Sequence, residues 1–205
     1  MIKPKIHIAP IFGAGYSQFK LNDKTKYSRF KYSGYYLTGG IALSSDLNRL
    51  NERISLQFDL LLNRYDLKGE GEIVLYENYI SDFFELQFKN YFIMCDLIIC
   101  FSYPKGELRP GVYAGFSNMF LINSTSEIIV NRFTYGEITD TYAEEYNYPN
   151  RKPHFGFTTG LSLKYHLRHD KILFFQAGFE RLLGIYSPTE NANFYNYIIR
   201  TGFYF

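Results

Sequence analysis

Residues Phe155-Gly-Phe-Thr-Thr-Gly-Leu-Ser-Leu-Lys-Tyr165 decide the fold. Phe155, Phe157, Leu161, Leu163, Tyr165 and Leu167 share one parity, while His154, Gly156, Thr158, Gly160, Ser162, Lys164 and His166 share the other. Period two marks an extended strand, whose successive side chains point to opposite faces. As a helix the same stretch would scatter its large residues round the whole surface. It therefore reads as a strand over about 153–167, with one bulky apolar face and one small or polar face.

Seven more stretches repeat the pattern, at about 4–19, 34–45, 53–66, 88–103, 108–122, 171–186 and 194–205. In the third, Ile54, Leu56, Phe58, Leu60 and Leu62 oppose Arg53, Ser55, Gln57, Asp59 and Asn63. In the last, Tyr195, Tyr197, Ile199, Phe203 and Phe205 oppose Asn196, Arg200 and Gly202. The connections alternate as well. Asp46–Glu52, Pro104–Glu107 and Arg168–Asp170 are short and polar, whereas 20–33, 67–87, 123–152 and 187–193 are longer. Ile128, Val130 and Thr134 continue the alternation into the loop at 123–152. Short turns at one end and long loops at the other are the layout of an outer-membrane barrel. The expected fold is all-β: an eight-stranded antiparallel up-and-down transmembrane β-barrel, one domain over 1–205. An even strand count puts both termini at the short-turn, periplasmic side.

Composition agrees. The 205 residues include 20 Tyr and 20 Phe but no Trp, and the formal net charge of +2 gives no sign of a nucleic-acid partner. Mean hydropathy is only −0.20. No apolar run approaches the ~18 residues of a membrane-spanning helix, so the apolar surface is dispersed through alternating strands. No signal-peptide pattern precedes the first strand, which leaves a protein that is not exported or a mature form behind an added start methionine; the second is expected, because the strands need a membrane. Cys95 and Cys100 lie five apart on one strand, roughly 16 Å at the usual rise. They are expected on opposite faces and reduced, because a disulfide needs at most about 7 Å between Cα atoms.

The facing follows from volume. A soluble barrel of the lipocalin type also alternates, but its apolar face points inward. Here the eight strands offer about forty large apolar or aromatic residues on one face, and the interior of an eight-stranded barrel is just wide enough to be filled by side chains. The bulky face is therefore expected outward, against outer-membrane lipid and lipopolysaccharide. Closure permits this by pairing every backbone N–H and C=O.

The ending Tyr197-Ile-Ile-Arg-Thr-Gly-Phe-Tyr-Phe205 resembles the C-terminal signal of outer-membrane proteins. More narrowly, three stretches are similar to the PorT-like outer-membrane β-barrel family of Bacteroidetes. They are Ile11-Phe-Gly-Ala-Gly-Tyr16, Phe101-Ser-Tyr-Pro-Lys-Gly-Glu-Leu-Arg-Pro-Gly-Val-Tyr-Ala-Gly115 and the sixth strand quoted above. The fourth strand departs from the family, with Ile93-Met-Cys-Asp96 where a proline-containing start is expected. The resemblance implies fold and location and little about activity.

No chemistry stands out. G-x-S-x-G, a P-loop and metal-ligand spacings are missing, as is the His-x-Ser-Asn run of outer-membrane lipid A deacylases. Neither an enzymatic activity nor a cofactor is expected. His7, His154, His166 and His169 read as hydrogen-bonding residues of the lumen or its rim. The inward parity carries Arg53, Asp59, Asp96, Lys164, Glu180 and Arg200. Equal numbers of both signs favour a closed salt-bridge network over a selective pore, and a Glu180–Arg200 pair is expected from the last hairpin. The loop at 123–152 sets Phe133, Tyr135, Tyr142, Tyr146 and Tyr148 among carboxylates, a candidate interaction surface. The functions that follow are, first, a structural or protein-interaction barrel, as an accessory subunit of a larger secretion or uptake complex; second, a narrow small-solute channel; and last, a lipid-modifying outer-membrane enzyme.

Overall fold

In the computed structural model, residues 6–23, 28–46, 53–76, 80–103, 105–146, 153–167, 171–183 and 191–205 are described. They form nine strands: β1 Ile6–Asp23, β2 Ser28–Asp46, β3 Ile54–Tyr76, β4 Ile80–Ser102, β5 Leu108–Thr134, β6 Glu137–Tyr146, β7 His154–His166, β8 Ile172–Leu183 and β9 Asn191–Tyr204. Except for β6 and β7, neighbours along the chain pair antiparallel, β1 pairs with β9, and β5 pairs with both β4 and β7. Eight strands thus close into a ring, as the alternation led us to expect. The ninth, β6, lies outside it and pairs with the distal half of β5.

Three expected loops are largely strand instead. Of the segment 20–33, the described residues 20–23 and 28–33 extend the β1–β2 ladder up to Asp23↔Ser28. The segment 67–87 is the top of a β3–β4 hairpin whose pairing runs from Ile54↔Phe101 up to Tyr76↔Ile80. The segment 123–152 is largely a β5–β6 hairpin closed at Thr134↔Glu137. Tyr135 and Gly136, at its tip, both have positive φ, 54° and 84°. Positive φ at both positions is the type I′ two-residue hairpin loop, whose twist matches the right-handed twist of its strands. These extensions raise a blade of β3, β4, β5 and β6 beyond the ring, flanked by the β1–β2 hairpin, which pairs along β3 up to Ser28↔Ile73.

The facing is as the volume argument required. Phe12, Tyr35, Leu37, Leu161, Phe116 and Ile199 are each more than 60% exposed, and similar outward residues girdle the ring. On β4 the outward parity runs from Tyr91 through Ile93, Leu97, Ile99 and Phe101 to Tyr103. Those twelve steps span ~40 Å of strand, or about 30 Å of height at the ~40° tilt usual in such barrels. Cys95 faces outward and Cys100 inward, both free.

The interior departs from the expectation of small residues. Tyr36, Tyr65, Tyr113, Phe174 and Tyr204 all lie inside and are buried. Room for them comes from glycines directly across the ladder: Gly15 opposite Tyr36, Gly160 opposite Tyr113 and Gly202 opposite Phe174. A Cβ on Gly202 would run into the Phe174 ring and the Pro10 carbonyl. The glycine opposite each ring is therefore a packing element. Gly202→Val should slow or block refolding into detergent micelles, an overpacking cost of ~1–3 kcal/mol. Phe174→Ala in the same chain should restore part of the folded fraction, read as the heat-modifiable shift on gel electrophoresis. An unaffected Gly202→Val variant would contradict the packing.

Candidate functional site

Two places concentrate chemically capable side chains: the middle of the lumen and the blade.

In the lumen, Arg200 on β9 reaches across the barrel. Its Nη1 donates to Asp96 Oδ2 at 2.6 Å and lies 3.4 Å from Asp59 Oδ2. Arg200, Asp59 and Asp96 are at most 1% exposed. Asp59 and Asp96 are brought level by the β3–β4 register. Two carboxylates side by side repel, and the guanidinium between them removes that conflict. Gln57 Nε2 donates to both Asp59 oxygens, at 2.9 and 3.0 Å, while Gln57 Oε1 accepts from Gln176 Nε2 at 3.2 Å.

A second hub is Asn196, which sequence reasoning put on the inner face without a role. It accepts from Ser17 Oγ at 2.6 Å and donates to Glu180 Oε2 at 2.7 Å and to Tyr65 Oη at 3.1 Å. Lys164 Nζ donates to Ser55 Oγ at 2.8 Å.

Two sequence expectations need correction. Glu180 and Arg200 are not partners: the β8–β9 register sets Glu180 opposite Asn196 and Arg200 opposite Gln176. The expected register started from Tyr186, which lies outside the described residues, and it set Arg200 opposite Glu180, four positions from the observed partner Asn196. Arg53 is exposed at the foot of β3, where its carbonyl accepts from Ser102 N at 2.8 Å. The enclosed charges are then Asp59, Asp96 and Glu180 against Lys164 and Arg200, an unequal set.

Aromatic layers close the lumen on both sides of this polar centre. Below it, Phe174 stacks on Tyr204 at 4.7 Å, and Tyr204 meets His7 edge-on at 6.1 Å. Above it, Tyr36 stacks on Tyr65 at 4.6 Å, Tyr65 meets Phe92 at 5.4 Å and Phe194 at 5.9 Å, and Phe19 continues the cluster to Tyr32. His154 lies against Phe92 at 6.4 Å. Among the described residues no group of three or more His, Cys, Asp or Glu is placed to hold a metal ion.

On the blade, Arg132 Nε and Nη2 bind Asp82 bidentately at 2.8 and 2.9 Å. That hydrogen bonding, together with the Asp82 charge, holds the Arg132 guanidinium above even its usual high pKa. Of the aromatic set expected to form an interaction surface, Phe133 is half-buried on β5, Tyr135 is 79% exposed at the hairpin tip and Tyr142 is half-buried on β6. The Tyr146 side chain and Tyr148 lie outside the described residues. The hairpin separates Phe133, Tyr135 and Tyr142 along its length, so they form no single patch. At the upper rim of the apolar girdle, Arg64 lies over the Tyr91 ring at 6.0 Å and Arg181 over Tyr195 at 5.7 Å.

The sequence matches no family model and no curated protein. Among solved structures it is similar to Neisserial surface protein A, at 14% identity and a TM-score of 0.41, over 96% of this chain and 97% of that one. It is also similar to the outer membrane protease OmpT of Escherichia coli, at 10% identity and a TM-score of 0.43, over 100% and 98% of the two chains. Ail, the attachment invasion locus protein of Yersinia pestis, is similar at 12% identity and a TM-score of 0.40, over 97% and 99%. Likenesses this distant say nothing of this chain's activity, which has to be argued from its own geometry.

Arg200→Met should destabilise the barrel by ~3–5 kcal/mol, because it leaves Asp59 and Asp96 facing each other uncompensated in a closed interior. Adding Asp59→Asn and Asp96→Asn should recover much of that loss. Urea unfolding in detergent measures both. Equal stability of the single and triple variants would show that Arg200 does not hold the two carboxylates together.

Proposed function

We propose that this chain is an integral protein of the bacterial outer membrane with a structural or protein-interaction role. The observation that carries the proposal is an exposed apolar girdle around a closed ring. Large outward Phe, Leu and Ile side chains are costly in water but fit hydrocarbon, and a ring with every strand paired exposes no backbone edge to lipid. The Arg–Tyr pairs at the upper rim and Tyr103 at the lower suit the two polar interfaces. In this reading the termini are periplasmic, the blade is extracellular, and the girdle contacts lipid and the acyl part of lipopolysaccharide. The PorT-like resemblance and an accessory role in a secretion or uptake complex belong to the same proposal and rest on the sequence alone.

The filled lumen favours this over a solute channel. The Arg200 centre and the aromatic layers on both sides of it occupy the space a conduction path would need, in a barrel already too narrow for an aqueous pore. Purified protein reconstituted in a planar bilayer should resist extraction by alkaline carbonate and show no unitary conductance steps. Discrete steps would overturn the closed-lumen reading, and release by carbonate would overturn the membrane reading.

A further inference from the structure

Among the described residues, every ring strand has a partner on both sides, but β6 has one on β5 alone. Its other edge, ten residues or ~33 Å long, presents alternate N–H and C=O groups with no ladder to join. Such edges are normally blunted by charged side chains, Lys above all, by Pro or by bulges, and carboxylates alone repel every incoming strand but a basic one. The β6 segment Glu137-Ile-Thr-Asp-Thr-Tyr-Ala-Glu-Glu-Tyr146 has neither Lys nor Pro. Its one register irregularity sits at the turn end, beside Arg132 and Phe133. Residues 137–141 are all exposed, with Ile138 at 60%.

Charge selects the occupant. β6 carries Glu137, Asp140, Glu144 and Glu145 and no basic residue. Arg132, level with Asp140, is already engaged by Asp82. Glu145 also faces Glu127 directly across the β5–β6 ladder. A second copy of β6 would bring like charges opposite one another, which opposes self-pairing. We propose that the free edge of β6 binds an extended, lysine- or arginine-rich segment of another polypeptide, which adds to the blade as its next strand. Backbone hydrogen bonds supply the affinity, and cross-strand pairs to the carboxylates supply the selectivity. The inference rests on the interaction role proposed above.

The test uses full-length protein in nanodiscs that retains its heat-modifiable shift. Three ten-residue fluorescent peptides are titrated: alternating Lys-Thr, alternating Lys-Pro and alternating Glu-Thr. The Lys-Pro peptide keeps the charge but loses half the N–H donors. Lys-Thr should bind at least tenfold more tightly than Lys-Pro and should slow amide exchange within 137–146, whereas Glu-Thr should not bind. Glu137→Lys with Glu145→Lys should shift the preference toward Glu-Thr. Equal binding of Lys-Thr and Lys-Pro, protection elsewhere, or no binding by an intact barrel would overturn the edge proposal and leave the barrel reading standing. Concentration-dependent protection of 137–146 without peptide would make a second copy the occupant and also overturn it. Loss of the heat-modifiable shift in the wild-type chain would instead strike at the barrel itself.

Discussion

Closure of the backbone ladder is the constraint on which everything else depends. Once β1 pairs with β9 and β4 with β5, no ring strand keeps a free edge, and each residue has only two directions in which to point. The parity of a residue then decides its solvent. The same chain can hold Leu161 at 66% exposure and Ser162, one residue on, at 5%, because a strand alternates with a period of exactly two residues and the ring makes one side inside. A one-residue slip anywhere would turn the Arg200 centre outward and the girdle inward, so the register is strongly specified.

Inside the ring, volume and charge solve separate problems. Glycines opposite Tyr36, Tyr113 and Phe174 create the space into which these rings fold. The rings in turn shield the polar centre. There Arg200 reconciles Asp59 with Asp96, and Asn196 ties Glu180 to Tyr65 and Ser17. A charge set so enclosed fixes which strands face each other across the barrel, since Arg200 must reach β3 and β4 from β9.

The parity of most strand residues was legible from the sequence because period two survives in a single chain without any tertiary information. Thus Gln57, Asp59, Asp96, Glu180 and Arg200 were all assigned inward, and the structure buries each of them. What parity does not carry is register. The Glu180–Arg200 expectation failed because the β8–β9 ladder pairs Glu180 with Asn196 and Arg200 with Gln176, and a strand face does not say which residue lies opposite. Arg53 failed for a related reason: it has inward parity but sits just before β3 begins, where parity no longer confines a long side chain. The β5–β6 hairpin was half legible. Ile128, Val130 and Thr134 signalled the extension of β5, but β6 has four carboxylates spread over both parities among Ile, Thr, Tyr and Ala and so lacks the continuous apolar face that gave the other strands away.

The central claim, that the ring's bulky face meets lipid while its small face lines a packed lumen, is most directly tested on β7 by a spin-label scan in bilayers. Cys95 and Cys100 are first replaced by alanine, and single cysteines are then placed in turn from Phe155 to Leu163. The account predicts accessibility to lipid-dissolved oxygen that alternates with period two, high at Phe155, Phe157 and Leu161 and low at Gly156, Thr158 and Ser162. Uniform accessibility, or the opposite phase with Phe157 and Leu161 shielded, would contradict it.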